Sequence, residues 1–407
     1  MMERETKNRQ AAAAAVAGGG AAEAGSLRSR IPSFIVMDVM RAALAAETAG
    51  RSIMHMEVGQ PGTPAPRAAR EAAMRALQSE TLGYTMALGC DPLRERIAAL
   101  YQEWYGVRLG AERVVVTAGS SGAFVLAFLA LFDAGDAIAL PSPGYPCYRH
   151  ILSALGQRPV LLDTGAATGW MPTAEDVVRA HAADGIKGLL IASPANPTGT
   201  MIAPERLAEL VRACRELGIR LISDEIYHGL TYARRADTAL AHGEDVIVVN
   251  SFSKYFSMTG WRIGWMVMPS PLVRVAERLA QNLYISPSAI AQSAALGAFD
   301  GSDELEANRA SYARNRALLL EELPGAGFRD FAPPDGAFYL YCDVSAMTDD
   351  AAALAKTLLD EAGVAVTPGT DFDAARGGRF LRFSYAGTTT DMAEAARRLK
   401  DWARLRR

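Results

Sequence analysis

An excess of either charge is what this 407-residue chain most plainly lacks: 42 basic against 45 acidic residues leave a formal net charge of −3. That balance excludes the electrostatic footprint of a nucleic-acid or anionic-membrane binder. Cysteine is scarce, and Cys90, Cys147, Cys214 and Cys342 form no CxxC pair. No disulfide framework is therefore expected, and the thiols read as reduced ones in a cytoplasmic protein. The five histidines, His55, His150, His181, His228 and His242, show no HxxxH or HExxH spacing, which argues against a metal site. No apolar run approaches the roughly 20 residues of a membrane span. Residues 11–25 lack bulky side chains, being nearly all Ala and Gly. Such a stretch buries too little to offset its ordering entropy, so residues 1–30 are expected to be a disordered extension. It has neither the apolar run of a signal peptide nor, with Glu3, Glu5 and Glu23, the composition of a transit peptide.

What remains is ordinary for a globular protein, with 50% hydrophobic and 21% charged residues, and long enough for two domains. Ser33 is placed to cap an amphipathic helix over 34–48 that stops at Gly50. Residues 53–58 have the pattern of a strand entering the turn Gly59-Gln60-Pro61-Gly62. Helical patterns follow at 66–79 and 91–105, the second with Asp91 as cap and Pro92 at its first position. From Arg113 the pattern alternates strand and helix, with strands expected at 114–117, 137–140, 159–163, 188–192, 220–223, 246–250 and 263–268, and a helix at 204–217. This predicts an α/β fold: a mostly parallel seven-stranded sheet with helices on both faces. A helix near 303–322 and short strands at 338–343, 364–366 and 380–384 predict a smaller α+β domain. The expected division is an N-terminal arm over 31–62 that contributes to the small domain, a large domain over 63–300 and a small C-terminal domain over 301–407.

Ligands of parallel sheets bind beyond the carboxyl ends of the strands, and polar residues collect there. The stretch from Asp245 to Trp265, DVIVVNSFSKYFSMTGWRIGW, delivers Lys254 with no acidic residue after Asp245. Beside Phe252, Tyr255 and Phe256 the charged amine would be desolvated. Its pKa should fall, giving a nucleophile suited to a Schiff base. Ser251, Ser253 and Arg262 are candidates to bind an anion at the same point. Gly119-Ser120-Ser121-Gly122 opens an apolar helix whose free N–H groups suit a phosphate. Asn196 lies in the turn Ser193 to Gly199, Asp224 and Tyr227 follow the next strand, and Tyr145 is placed to stack on a planar ligand. Taken singly, each also fits a structural role: a surface lysine, a Pro/Gly turn, a capping acid, a packed aromatic ring.

Together and in this order, GSSGA (119–123), PSPGYP (141–146), NPTG (196–199), SDEIY (223–227), SFSK (251–254), GWRIGW (260–265) and FLRFSY (380–385) resemble the pyridoxal-phosphate-dependent aminotransferases of classes I and II, the fold-type-I group. The resemblance runs from about residue 31 to the end. It implies an enzyme that moves an amino group from an amino acid to a 2-oxo acid through an internal aldimine on Lys254. Residues 63–300 would then be the pyridoxal 5'-phosphate-binding domain. It further implies that Asp224 pairs with the pyridinium nitrogen, that Asn196 and Tyr227 bond the phenolic oxygen, and that Tyr145 stacks on the ring. Ser120, Ser121, Ser251, Ser253 and Arg262 would hold the phosphate, and Gly59, Asn196 and Arg382 would meet the substrate, Arg382 through its carboxylate. Tyr84, in YTMALG, would reach the phosphate of a partner subunit, implying a homodimer with shared active sites, and residues 286–288 would approach the same site. Two features depart from the family pattern: Gln60 stands where acids are common, and no second arginine is placed for a distal carboxylate, which argues against a strict aspartate preference. The alternatives are a lyase, synthase or decarboxylase on the same fold, or a non-catalytic regulator, for which residues 1–30 are too short to be a DNA-binding module.

Overall fold

Seven aliphatic runs line up in one sheet because each presents side chains alternately to two cores. The computed structural model describes residues 25–406, so the extension expected over residues 1–30 lies, up to residue 24, outside the described residues. A two-residue strand, β1 (Met54–His55), precedes the sheet. The sheet itself comprises β2 (Val114–Thr117), β3 (Ala137–Ser142), β4 (Arg158–Asp163), β5 (Gly188–Ala192), β6 (Arg220–Asp224), β7 (Ile247–Ser251) and β8 (Gly264–Val267). Its order is β2-β8-β7-β6-β5-β3-β4, parallel throughout except that β8 runs antiparallel to both neighbours. Leu189, Ile191, Leu221 and Val248 enter one core, and Leu190, Ile222, Ile247 and Val249 the other. Successive strand residues point to opposite faces, so both faces are apolar and both must be covered.

The covering helices fit those faces. Helix α1 (Ile35–Thr48) lies at the N-terminus. Helix α2 (Asp91–Tyr105) brings Leu93 and Ile97 to the first core, while α3 (Gly119–Leu131) brings Phe124 and Phe128 to the second. After α4 (Pro146–Ala154), α5 (Pro204–Glu216) adds Leu207 and Leu210 to the first core, and α6 (Ser270–Leu283) adds Ala276 and Ala280 to the second.

Beyond α7 (Ser302–Glu322) a second, antiparallel sheet forms from β9 (Asp330–Phe331), β10 (Tyr339–Asp343), β12 (Thr367–Pro368) and β13 (Phe380–Ser384), in the order β12-β13-β10-β9. Strand β11 (Val364–Ala365) pairs in parallel with β1, tying the N-terminal segment to the C-terminal one. Helix α8 (Thr389–Arg404) closes the chain.

Three local expectations are corrected. Ser33 does not cap α1; its hydroxyl donates to Asp38 Oδ2 at 2.9 Å. Asp91 is the first helical residue of α2 rather than its cap, and its carboxylate pairs with Arg94 at 3.0 Å. The strand expected over 53–58 is two residues long, because only Met54 and His55 find a partner strand.

Leu190 is fully buried at the middle of the sheet. Leu190→Ala is expected to remove about 2–5 kcal/mol of stability, read from urea denaturation. A loss below about 1 kcal/mol would contradict a sheet held by packing on both faces.

Candidate active site

Parallel register sets the site's geometry. Ala192 and Asp224, the last residues of β5 and β6, stand beside Val249, two residues before the end of β7. The segments that leave these ends therefore emerge at one edge of the sheet, where a cavity of about 210 Å³ opens. Gly59, Ser120, Ser121, Tyr145, Asn196, Asp224, Tyr227, Ser253, Lys254, Arg262 and Arg382 all line it. Two sequence candidates do not. Ser251 is buried behind Ser253, its hydroxyl donating to Ile263 O at 3.0 Å and lying 2.8 Å from Ser253 Oγ. Tyr84 is 83% exposed and borders a separate surface hollow with Ser286, Pro287 and Ser288.

Lys254 Nζ donates to Gly59 O at 2.5 Å. Burial, then the charges of Arg382 and Arg262, bring its pKa down to about 7, against the pull of Asp224. The expected cause, desolvation, is correct, but the expected aromatic neighbours are not. Rings near Nζ are those of Tyr227 at 5.7 Å and Phe338 at 5.8 Å. Phe252 and Phe256 instead pack on Phe299, and Tyr255 meets Trp104. The rings of Phe252, Tyr255 and Phe256 belong to the core, while Ser253 and Lys254 face the cavity.

Asp224 is buried, which lifts its pKa to about 6 despite a bond from Tyr148 Oη, the Ile226 N–H at 3.0 Å and the charge of Lys254. Tyr148 was not a sequence candidate. It lies three residues after Tyr145 in the first turn of α4, so helical spacing is the signal that finds it.

On another side of the cavity, α3 starts at Gly119 with no side-chain cap and no acidic residue in its first turn. Its free N–H groups and the hydroxyls of Ser120 and Ser121 form an anion-ready end. Gly119 has φ +70°, and a Cβ there would come within 2.6 Å of Arg262 Nη2, so a glycine is what lets the guanidinium close over the helix start.

Arg382, buried in β13, has its guanidinium between the rings of Tyr339 (4.4 Å) and Phe372 (4.7 Å). Nη1 donates to Asn196 Oδ1 at 2.8 Å and Nη2 to Glu57 O at 2.5 Å, while Nε is buried without a partner. Tyr339, also missed from sequence, bonds Tyr227 Oη at 2.7 Å. A Cβ on Gly59 would sit 1.8 Å from Tyr339 Oη, so no other residue fits at position 59 with that ring in place.

The arrangement presents a weakly basic amine, an opposing carboxylate, an anion-binding helix end and a second anion site at Arg382. Against known proteins, the family described as aminotransferase class I and II matches residues 51–399. A valine–pyruvate aminotransferase of Mycobacterium tuberculosis is 48% identical over 381 residues, which is 93% of this chain and 98% of that protein. The crystal structure of an aminotransferase from Mycobacterium tuberculosis is 47% identical with a TM-score of 0.92, covering 94% of this chain and 100% of that one. Aspartate aminotransferase from Thermus thermophilus with maleate is 33% identical at a TM-score of 0.87, covering 93% and 100%. The fold is thus the fold-type-I architecture expected from the sequence, and these relatives are named aminotransferases rather than lyases or regulators.

Carbon-13 dimethylation of the lysines gives a direct reading of the amine. One resonance, absent from Lys254→Arg, is expected to titrate near pH 7. A midpoint near the ordinary lysine value of about 10.4 would contradict the desolvated amine.

Proposed function

Because the chain belongs to the class I and II aminotransferases, we propose that it works with pyridoxal 5'-phosphate and moves the amino group of a neutral aliphatic amino acid onto a small 2-oxo acid. The observation that carries this reading is Lys254, with its pKa near 7, facing the same cavity as the buried Asp224. The donor set fits the cofactor. An uncapped helix start with Ser120, Ser121 and Arg262 suits a phosphate, and the carboxylate of Asp224 suits a ring nitrogen.

Bound there, the cofactor would supply an electrophilic carbonyl for the amino group and a ring able to draw charge from the substrate α-carbon. The N–H groups at the start of α3, with Ser120, Ser121, Ser253 and Arg262, hold its phosphate, and Ser251 fixes Ser253 from behind. Asp224, steadied by Tyr148 and the Ile226 N–H, keeps the ring nitrogen protonated. Asn196 accepts from Arg382 through Oδ1, which leaves its Nδ2 as a donor that would suit the ring oxygen. Tyr227 adds a hydroxyl on the same side, and Tyr145 covers the ring face. Arg382, which lines the cavity, takes the substrate α-carboxylate. Lys254 Nζ, close to half neutral at pH 7, removes the proton from the α-carbon.

Among the described residues of one chain, the cations that line the cavity are Lys254, Arg262 and Arg382. Each has a task in this scheme, leaving none for a second carboxylate, while Phe34, Val36 and Met37 offer apolar surface. This supports a donor such as valine and an acceptor such as pyruvate, as does the 48% identity to the valine–pyruvate enzyme. We further propose a homodimer with shared active sites, supported by the exposed side chain of Tyr84 beside Ser286 and Ser288. A cytoplasmic location is supported by four unpaired cysteines. The reading also assigns residues 63–300 to cofactor binding and residues 31–62 and 301–407 to the smaller domain.

Lys254→Ala is expected to lack the absorbance band that the unaltered chain gains on bonding pyridoxal phosphate and to lose turnover by roughly 10⁴-fold or more. Full turnover in this variant would overturn the assignment. Arg382→Ala should raise KM for every amino donor by about ten- to a hundredfold, the worth of a charged hydrogen bond; an unchanged KM would make Arg382 structural. In a donor-by-acceptor panel, valine with pyruvate should yield alanine and the valine-derived oxo acid faster than aspartate yields alanine. Release of ammonia in place of alanine would contradict transamination.

A further inference from the structure

One wall of the Lys254 cavity is the segment that starts α1, where Phe34, Val36 and Met37 line it. That start has no local cap: Phe34 precedes the helix without a capping side chain, and Ser33 is bonded to Asp38. Asp371, 335 residues from Val36, takes the place. Its Oδ1 accepts the Ile35 N–H and its Oδ2 the Val36 N–H, both at 3.2 Å. These are the donors a helix start leaves unpaired, and a carboxylate also complements the positive end of the helix.

Asp371 is 1% exposed, and it is not among the residues lining the cavity. It is nevertheless tied to both sides of the site. The next residue, Phe372, supports the guanidinium of Arg382 at 4.7 Å. The Asp371 carbonyl accepts from Arg149 Nη2 at 2.6 Å, and Arg149 belongs to α4, which begins directly after Tyr145. Phe34 in turn meets the Tyr145 ring edge-on at 5.8 Å. Further along, α1 is held by Ala43 against Ile53, Leu359 and Ala365. Loss of the cap would therefore loosen the first turn and leave the rest of the helix seated.

Resting on the aminotransferase reading, we propose that Asp371 is a positioning residue for substrate side-chain fit: it caps α1 from across the chain and holds Phe34, Val36 and Met37 where the donor's side chain is received. A donor with a large apolar side chain depends on that surface, whereas alanine, whose side chain is one methyl group, does not.

The test compares Asp371→Asn with the unaltered full chain, both loaded with pyridoxal phosphate. Asparagine keeps one acceptor and turns an N–H toward the second amide, so the cap is halved with little change in volume. Hydrogen exchange at Ile35 and Val36 is expected to quicken on the order of tenfold, the effect of a lost cap, with the visible absorbance unchanged. KM for valine and leucine should rise by a similar factor, while KM and kcat for alanine stay within about twofold. Asp371→Glu should recover part of the difference, and Met37→Ala, at a half-exposed position, should raise KM for valine and leucine with Asp371 intact. Unchanged exchange, or equal KM shifts for alanine and valine, would overturn the proposal. If no apolar donor turns over even in the unaltered chain, the exchange result alone decides the positioning claim, and it is the donor reading that has failed.

Discussion

An ammonium ion cannot keep its water where Lys254 sits. Burial disfavours the charged amine, the guanidinium groups of Arg382 and Arg262 repel it, and Asp224 alone pulls the other way. Desolvation of a charge in a protein interior outweighs a single distant attraction. The same burial moves Asp224 in the opposite chemical direction, toward holding its proton, to about 6. An amine brought down to about 7 is one that gives and takes a proton near pH 7 with little driving force.

The rest of the architecture holds that pair in place. Parallel register between β5, β6 and β7 brings the three strand ends to one edge, and the two apolar faces of the sheet fix the register by their packing. The second sheet supplies the counterpart. Arg382 stands opposite Tyr341 on β10 and Thr367 on β12, so its backbone is held from both sides while its guanidinium lies between Tyr339 and Phe372. An arginine so flanked loses little further freedom when it takes a carboxylate.

How legible this was from the sequence divides along the range of the interactions. The strands of the large sheet are short aliphatic runs between turn residues, and each was placed within two residues of either end; Gly188–Ala192 matches outright. Residues delivered directly by a strand end, such as Asp224, Asn196 and Lys254, were legible for the same reason. Contacts made across the chain were not. Tyr339 against Gly59, Phe338 beside Lys254, and the carboxylate of Asp371 on the start of α1 join residues with no sequence relation. Ser33 illustrates the failure: a serine before an amphipathic run satisfies the local capping rule, but a buried carboxylate from the C-terminal segment makes the bonds instead.

The central claim is that Lys254, and no other lysine of the chain, is the amine that engages pyridoxal phosphate. Borohydride reduction of the chain with its cofactor, followed by peptide mass spectrometry, tests this most directly. The account predicts one phosphopyridoxyl adduct per chain, on the peptide that contains Lys254. An adduct carried by Lys7, Lys187, Lys356 or Lys400 instead, or no adduct at all, would contradict it.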